Sequence, residues 1–268
     1  MDNMTQADTS IVAVYDHHYA SNSTVEKEWT ELGSYSRLHN TLKVIKDHQF
    51  DSTIDVGAGD GMVLQRLSQS EKFGNLNAVE ISEAAAETIQ SLPIPRLKEV
   101  KTFDGYNIPF QSNSFDLATC YHVIEHVEHP RLLLREIARI SRYQVFEIPL
   151  DYYPGIDSNI DRLMAYGHIS VYTPSLFRFL LKSEGFSIIS EHLSDNSWQS
   201  QKFMITHSKK SINKDLRLFK AQLSNLKRNL VRLFASQQYN QEFSYNAYTC
   251  FCEFKAKPEI GYDQVNLW

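Results

Sequence analysis

Thr53-Ile-Asp-Val-Gly57-Ala-Gly59-Asp-Gly61 is the stretch on which the reading of this chain turns. A β-branched run over 52–56 ends in glycines at alternate positions, and a helical pattern over 62–69 follows at once. Glycines at a strand end let the main chain turn sharply and leave bare backbone for a ligand to lie against. Two nucleotide-binding readings fail. A dinucleotide turn needs Gly-x-Gly-x-x-Gly, and position 62 is Met; a phosphate loop needs Gly-Lys-Ser/Thr, which is absent. An acid, Asp55, ahead of Gly57, Ala58 and Gly59 suits a cationic ligand without phosphates instead.

Working outward, short apolar runs recur at 76–80, 97–103, 115–121 and 143–149, with helical patterns at 83–91 and 130–141 between them. Upstream, 24–48 reads as a helix, with Ser23 or Thr24 as N-cap and Leu38, Leu42 and Ile45 on one face; residues 1–10 read as a frayed polar end. Downstream, a helix over 174–184 stops at Gly185 and feeds a strand over 186–193, and 245–255 alternates like a last strand. Strand–helix alternation with short connections predicts an α/β, doubly wound, mostly parallel sheet.

Composition agrees with one such domain. The 268 residues are 42% hydrophobic and 22% charged, enough to bury a core. No run approaches the roughly 20 apolar residues of a membrane-spanning helix. The N-terminus lacks the basic-then-apolar pattern of a secretory signal. With only three cysteines, the expected setting is a reducing cytoplasm with no disulfide framework. A net charge of -5 gives no global pull towards nucleic acid.

Two further acids follow later strands. Glu80 stands 19 positions after Gly61, where a carboxylate can accept both hydroxyls of a ribose, and Ile81 beside it can cover an adenine face. Asp104, ahead of Gly105, can accept the exocyclic amine of adenine, with the backbone of Gly105 or Tyr106 at the ring edge.

On IDVGAGDG, AVEIS, FDGYNIPFQSNSFDLATCYHVIEHVEHPRLLLREIARI and GHISVYTPSLFRFLLKSEGF, the chain resembles the class I S-adenosylmethionine-dependent methyltransferases over about residues 50–190. The resemblance implies a seven-stranded sheet, order 3-2-1-4-5-7-6, with the last strand antiparallel. It implies S-adenosyl-L-methionine as cofactor and S-adenosyl-L-homocysteine as product. Asp55, Gly57 and Gly59 would surround the methionine portion, Glu80 the ribose and Asp104 the adenine, and Tyr121 would line the cofactor. An N-terminal cap, 1–48, would close over the site, with Tyr15, Tyr19 or Arg37 reaching the cofactor carboxylate; the methyltransferase domain proper would be 49–268. One departure stands out: relatives carry Pro-Gly-Gly before the fifth strand, where this chain reads ISRYQVFEIPLD.

Methyl transfer is an in-line displacement at a sulfonium carbon, so the protein supplies alignment and, for a hydroxyl acceptor, a base. Residues beyond the fourth and fifth strands face that space. His122 is the preferred base, with Glu125, Asp151 and His168 as further catalytic candidates; His17, His18, His39, His48, His129, His192 and His207 read as surface or structural. No metal is expected. The alternative is a cluster of His122, Glu125, His126 and His168, because ubiquinone-pathway O-methyltransferases and small-RNA 3′-end methyltransferases hold a divalent ion there, with Glu where this chain has His122. A tyrosine-rich rim (Tyr152, Tyr153, Tyr166, Tyr172) suits a small-molecule hydroxyl acceptor in a biosynthetic pathway. The segment Cys120-Tyr-His-Val-Ile124 lacks the Asn/Asp-Pro-Pro-Tyr/Phe signature of DNA amine methylation, so DNA is not expected as a partner. Two alternatives stay open: an RNA methyltransferase, and a cofactor-binding regulatory subunit without turnover.

Between the last two strands lies an insertion of about fifty residues, about 195–243. In it Ile212, Leu216, Phe219, Leu223, Leu226, Leu230 and Leu233 recur at alternating steps of four and three, an apolar seam on one long helix. Residues 208–235 carry net +7, leaving -12 for the rest of the chain. Three readings follow: a packing helix with a solvated basic face, a homodimer through 212–234, or a contact for an anionic partner or membrane surface.

Overall fold

The computed structural model describes residues 9–20, 23–153, 156–165, 167–207 and 213–256. Seven strands form one sheet: β1 (Phe50–Val56), β2 (Phe73–Glu80), β3 (Leu97–Thr102), β4 (Phe115–Tyr121), β5 (Ser141–Pro149), β6 (Phe186–Ser194) and β7 (Ala247–Phe254). Their order is β3-β2-β1-β4-β5-β7-β6. β1 to β5 pair in parallel, whereas β7 runs antiparallel to both β5 and β6. This is the class I methyltransferase arrangement that the resemblance implied.

Alternate residues of the strands feed two cores. Ala118, Cys120, Phe146, Ile148 and Tyr248 point into one, closed by α5 (Pro130–Ile140) and α7 (Pro174–Ser183). Leu117, Tyr121, Val145 and Phe251 point into the other, closed by α2 (Thr24–Ile45), α3 (Met62–Leu67) and α4 (Glu83–Ser91). The expected helix over 24–48 ends three residues early, at Ile45, and starts with a complete capping box between Ser23 and Glu26. α5 passes into β5 with no residue between them, because Ser141 caps the helix through its N–H and hydroxyl on the Ile137 carbonyl. The missing Pro-Gly-Gly is therefore a missing loop.

The region ahead of β1 divides in two. α2 buries Ser34, Asn40, Thr41, Val44 and Ile45 and belongs to the body of the domain. Only α1 (Thr9–Ala20) lies over the strand tips, so the frayed stretch expected over 1–10 gives way to helix from Thr9. Asp16 fixes α1 there by accepting from the Ser82 hydroxyl at 2.6 Å at the start of α4. The insertion between β6 and β7 also holds more than the one helix expected. α8 (Trp198–His207), α9 (Lys214–Phe234) and α10 (Gln237–Phe243) fill it, while Ile212 of the predicted seam lies outside the described residues. α6 (Ile160–Ala165) lies between β5 and α7. No helix among the described residues is long and apolar enough to cross a membrane.

Candidate active site

The C-terminal tips of β1, β2 and β4 open into one pocket, whose wall includes Tyr15, Tyr19, Gly57, Glu80, Ile81, Phe103, Gly105, Tyr106, His122, Val123 and His126. Its floor is the glycine turn. Gly57 has φ +74°, and a Cβ there would meet Val123 Cγ2 at 2.5 Å. Gly59 has φ +59°, and a Cβ would come within 2.9 Å of the Tyr19 hydroxyl. Only glycine gives both the left-handed backbone and the close approach.

Glu80 closes one side. It is buried, and its carboxylate accepts from the main-chain N–H of Gly59 (2.8 Å), Ile81 (2.9 Å) and Ser82 (3.3 Å). Burial nevertheless pushes its pKa above the usual carboxylate value. Tyr15 and Tyr19 come down from α1 with their rings 6.5 Å apart. Burial and the nearby Glu80 push the Tyr15 phenol up to about 12, and Tyr19 higher still. Both stay protonated and can donate to an anionic ligand group.

Of the predicted site residues, Asp55, Asp104, Tyr121, Arg37, Glu125, Asp151 and His168 are not part of that wall. Asp55 is buried and accepts from the Thr119 hydroxyl at 2.7 Å; burial raises its pKa to about 7. Asp104 accepts from the N–H of Tyr106 (2.9 Å) and Asn107 (2.7 Å), which shapes the loop that brings Gly105 and Tyr106 to the pocket. Tyr121 hydrogen-bonds Thr41 at 2.7 Å, tying α2 to β4, and Ala58 is buried beneath the turn. The Arg37 Nε sits 4.0 Å from Glu147.

The opposite end of the pocket is built by the segment after β4. His122 takes φ +54°, a conformation rare outside glycine, and its N–H donates to the Glu147 carbonyl at 2.9 Å. Its Nε2 lies 3.2 Å from Glu147 Oε1, and its Nδ1 lies 3.6 Å from Glu125 Oε1. Glu147 is the residue that sequence reasoning missed. Its fully buried carboxylate also accepts from Asn40 Nδ2 (2.9 Å) and Thr249 Oγ1 (2.7 Å). Burial alone would raise its pKa, but His122, Arg37 and Thr249 outweigh it and hold it down to about 2. An acid in the middle of Val145-Phe-Glu-Ile148 was the available signal, because a charge inside an apolar strand needs buried partners.

A short 3-10 turn, Ile124–His126, then brings three predicted residues together. Ligand atoms of Glu125, His126 and His168 all lie within 4.8 Å of one another. Glu125 is 1% exposed, and neither carboxylate oxygen has a hydrogen-bond partner among the described residues. Burial raises its pKa, only partly offset by His122 and His168. Burial, aided by His168, lowers His126 to about 4, and its Nδ1 is held at 2.9 Å by the Gly167 carbonyl. His168 Nδ1 is held at 2.7 Å by Asp151; burial acts to lower its pKa, but that contact raises it overall. Tyr152 and Tyr153 are exposed nearby in the chain, Tyr172 is half-buried, and Tyr166 lies outside the described residues.

Comparison with known proteins points to a methyltransferase domain. Residues 54–144 match the family described as a methyltransferase domain. The chain is 27% identical over 135 residues to YrhH of Bacillus subtilis strain 168, a protein with a methyltransferase name, covering 47% of this chain and 72% of that protein. It is 24% identical over 141 residues to YcgJ of the same organism, also carrying a methyltransferase name, covering 52% and 54%. Among solved structures, geranyl diphosphate C-methyltransferase of Streptomyces coelicolor, in complex with Mg2+, geranyl diphosphate and S-adenosyl-L-homocysteine, shares the fold. Its TM-score is 0.59 at 10% identity, with 82% of this chain and 79% of that one covered.

Proposed function

We propose, for a chain that belongs to the class I S-adenosylmethionine-dependent methyltransferases, that its acceptor is a small-molecule hydroxyl and that His122 removes the proton. The family membership accounts for the cofactor, S-adenosyl-L-methionine. Glu80 and the Gly57–Gly59 backbone would hold its ribose and methionine portions, Ile81, Gly105 and Tyr106 would surround the adenine, and Tyr15 or Tyr19 would donate to its carboxylate. Asp104 would fix Gly105 and Tyr106 for that role by accepting from the Tyr106 N–H.

The observation that carries the base assignment is the Glu147–His122 pair. A carboxylate held ionised accepts from Nε2–H at 3.2 Å, so the neutral imidazole keeps its lone pair on Nδ1. When bound, S-adenosyl-L-methionine would supply an electrophilic methyl group with a thioether as leaving group, and His122 Nδ1 would take the proton that the acceptor hydroxyl loses as its oxygen gains that methyl. The resulting imidazolium lies between Glu147 and Glu125, both able to stabilise it. Asp151 orients His168 at the rim.

One observation favours a second version of the same site. The two unpartnered oxygens of buried Glu125 fit a divalent cation, as do imidazoles of His126 and His168 whose Nδ1 atoms are already held by Gly167 and Asp151. Such an ion would grip vicinal hydroxyls of the acceptor and lower their pKa.

The test is transfer of labelled methyl from the cofactor into a fractionated small-molecule extract, with and without a chelator. Label in an ether or ester linkage is expected. Label exclusively on nitrogen or carbon, or in RNA, overturns the acceptor assignment. Loss of activity with chelator, restored by metal, selects the second version.

A further inference from the structure

A surface helix ordinarily turns its apolar face inward. α9 does the reverse, and none of its residues is buried. Its polar face is the one docked. Both terminal guanidinium nitrogens of Arg232 bond Asp195 at 2.8 Å, and its plane lies 4.0 Å from the Tyr245 ring centre. Arg228 reaches Asp195 and Asn246, and Asn225 donates to Gln201 at 2.8 Å. The apolar face points away: Leu216, Phe219, Leu223, Leu226, Leu230 and Leu233 are between 47% and 76% exposed.

We propose that this face is covered by the same face of a second copy of the chain, as a parallel two-stranded coiled coil. The spacing of the six residues, 3-4-3-4-3, is a strict heptad, with Leu216, Leu223 and Leu230 at a and Phe219, Leu226 and Leu233 at d. A strict heptad gives a narrow seam that fits a partner helix, rather than the broad apolar arc of a helix lying in a lipid surface. The charges select the partner too. Arg228 and Arg232 are spent on the chain's own Asp195. Lys220 and Lys227 border one side of the seam only; the other border is Asp215, Gln222 and Asn229. A membrane-lying helix with Arg228 and Arg232 turned inward and lysines on one border of its seam only would gain less from anionic headgroups than from a partner helix. In a parallel pair, Asp215 of each copy meets Lys220 of the other (g to e), whereas an antiparallel pair sets the lysine borders against each other. Phe234, 87% exposed, extends the apolar surface at the end of the seam.

Sedimentation of the full chain at about 10 μM should show twice the 31.0 kDa of one copy. The double variant Leu223→Gln, Leu226→Gln should raise the dissociation constant at least about 100-fold while each copy stays folded by circular dichroism, since both side chains face solvent within one copy. Leu226→Cys, at a d position, should cross-link to itself under mild oxidation; the three native cysteines are buried. A 31.0 kDa species throughout overturns the proposal, as does a dimer indifferent to the double variant. Retention of the monomer on phosphatidylserine vesicles would assign the face to a membrane instead. A dimer in which the Leu226→Cys variant forms no disulfide cross-link overturns the parallel pairing.

Discussion

The two ends of the pocket are built on opposite principles. At the glycine end, each predicted acid is already engaged: Glu80 by three main-chain N–H groups, Asp104 by two, Asp55 by Thr119. The geometry there is set before any ligand arrives, which suits an invariant cofactor. At the histidine end, Glu125 has two buried oxygens with no hydrogen-bond partner among the described residues, and His122 sits at φ +54°. A buried unsatisfied polar group costs about 1–3 kcal/mol. A strained backbone and a buried carboxylate whose nearest described partners are imidazoles at 3.6 and 3.9 Å are what a site for a ligand or a reacting group requires.

That contrast makes separable predictions. The largest effect is expected from His122→Ala, which should slow methyl transfer at least about 10²-fold while cofactor affinity stays within about threefold. A rate within about threefold of the parent would remove His122 as base. A parallel collapse of affinity would show that the two ends are not independent. Next comes Glu80→Ala, which strands three amide donors and removes the proposed ribose acceptor. Cofactor binding by calorimetry should weaken about 10- to 100-fold. Unchanged affinity would break the glycine-end assignment without touching the acceptor chemistry.

Legibility in the sequence followed the same divide. The glycine turn, Glu80, the cap at Ser23 and the seam of α9 are local signals, each complete within a few residues, and strand existence was readable wherever β-branched runs alternated with helical patterns. What was missed depends on distance. The Glu147 network joins residues 107 and 102 positions apart, which no local pattern encodes. α8 was missed because its large residues, Trp198, Phe203, Met204 and Ile205, do not repeat along one face. The periodicity of α9 was plain, but the direction in which it docks was not. That depends on Asp195 and Asn246, which only the fold brings beside Arg228 and Arg232.

The smallest expected effect tests whether the glycine end carries a tunable charge. Burial raises Asp55 to about 7, so in the free protein it gains a proton as pH falls through neutrality. A ligand bearing a sulfonium and an ammonium group favours the carboxylate, and binding should release a proton below pH 7. Cofactor affinity should therefore drop up to about tenfold per pH unit between pH 7 and 6, and level off above pH 8. Asp55→Asn should flatten that profile. The sign for folding is the opposite. The unfolded chain ionises this group near its ordinary value of 3.8 and the folded chain near 7, so the native state holds the extra proton between them. Stability contributed by neutral Asp55 is full below pH 3.8 and falls as pH rises to 7. Asp55→Asn should thus melt at a higher temperature than the parent at about pH 8 but not at about pH 4. An affinity profile equally flat in parent and variant would mean that Asp55 does not sense the cofactor's charge, leaving it as a structural anchor for Thr119.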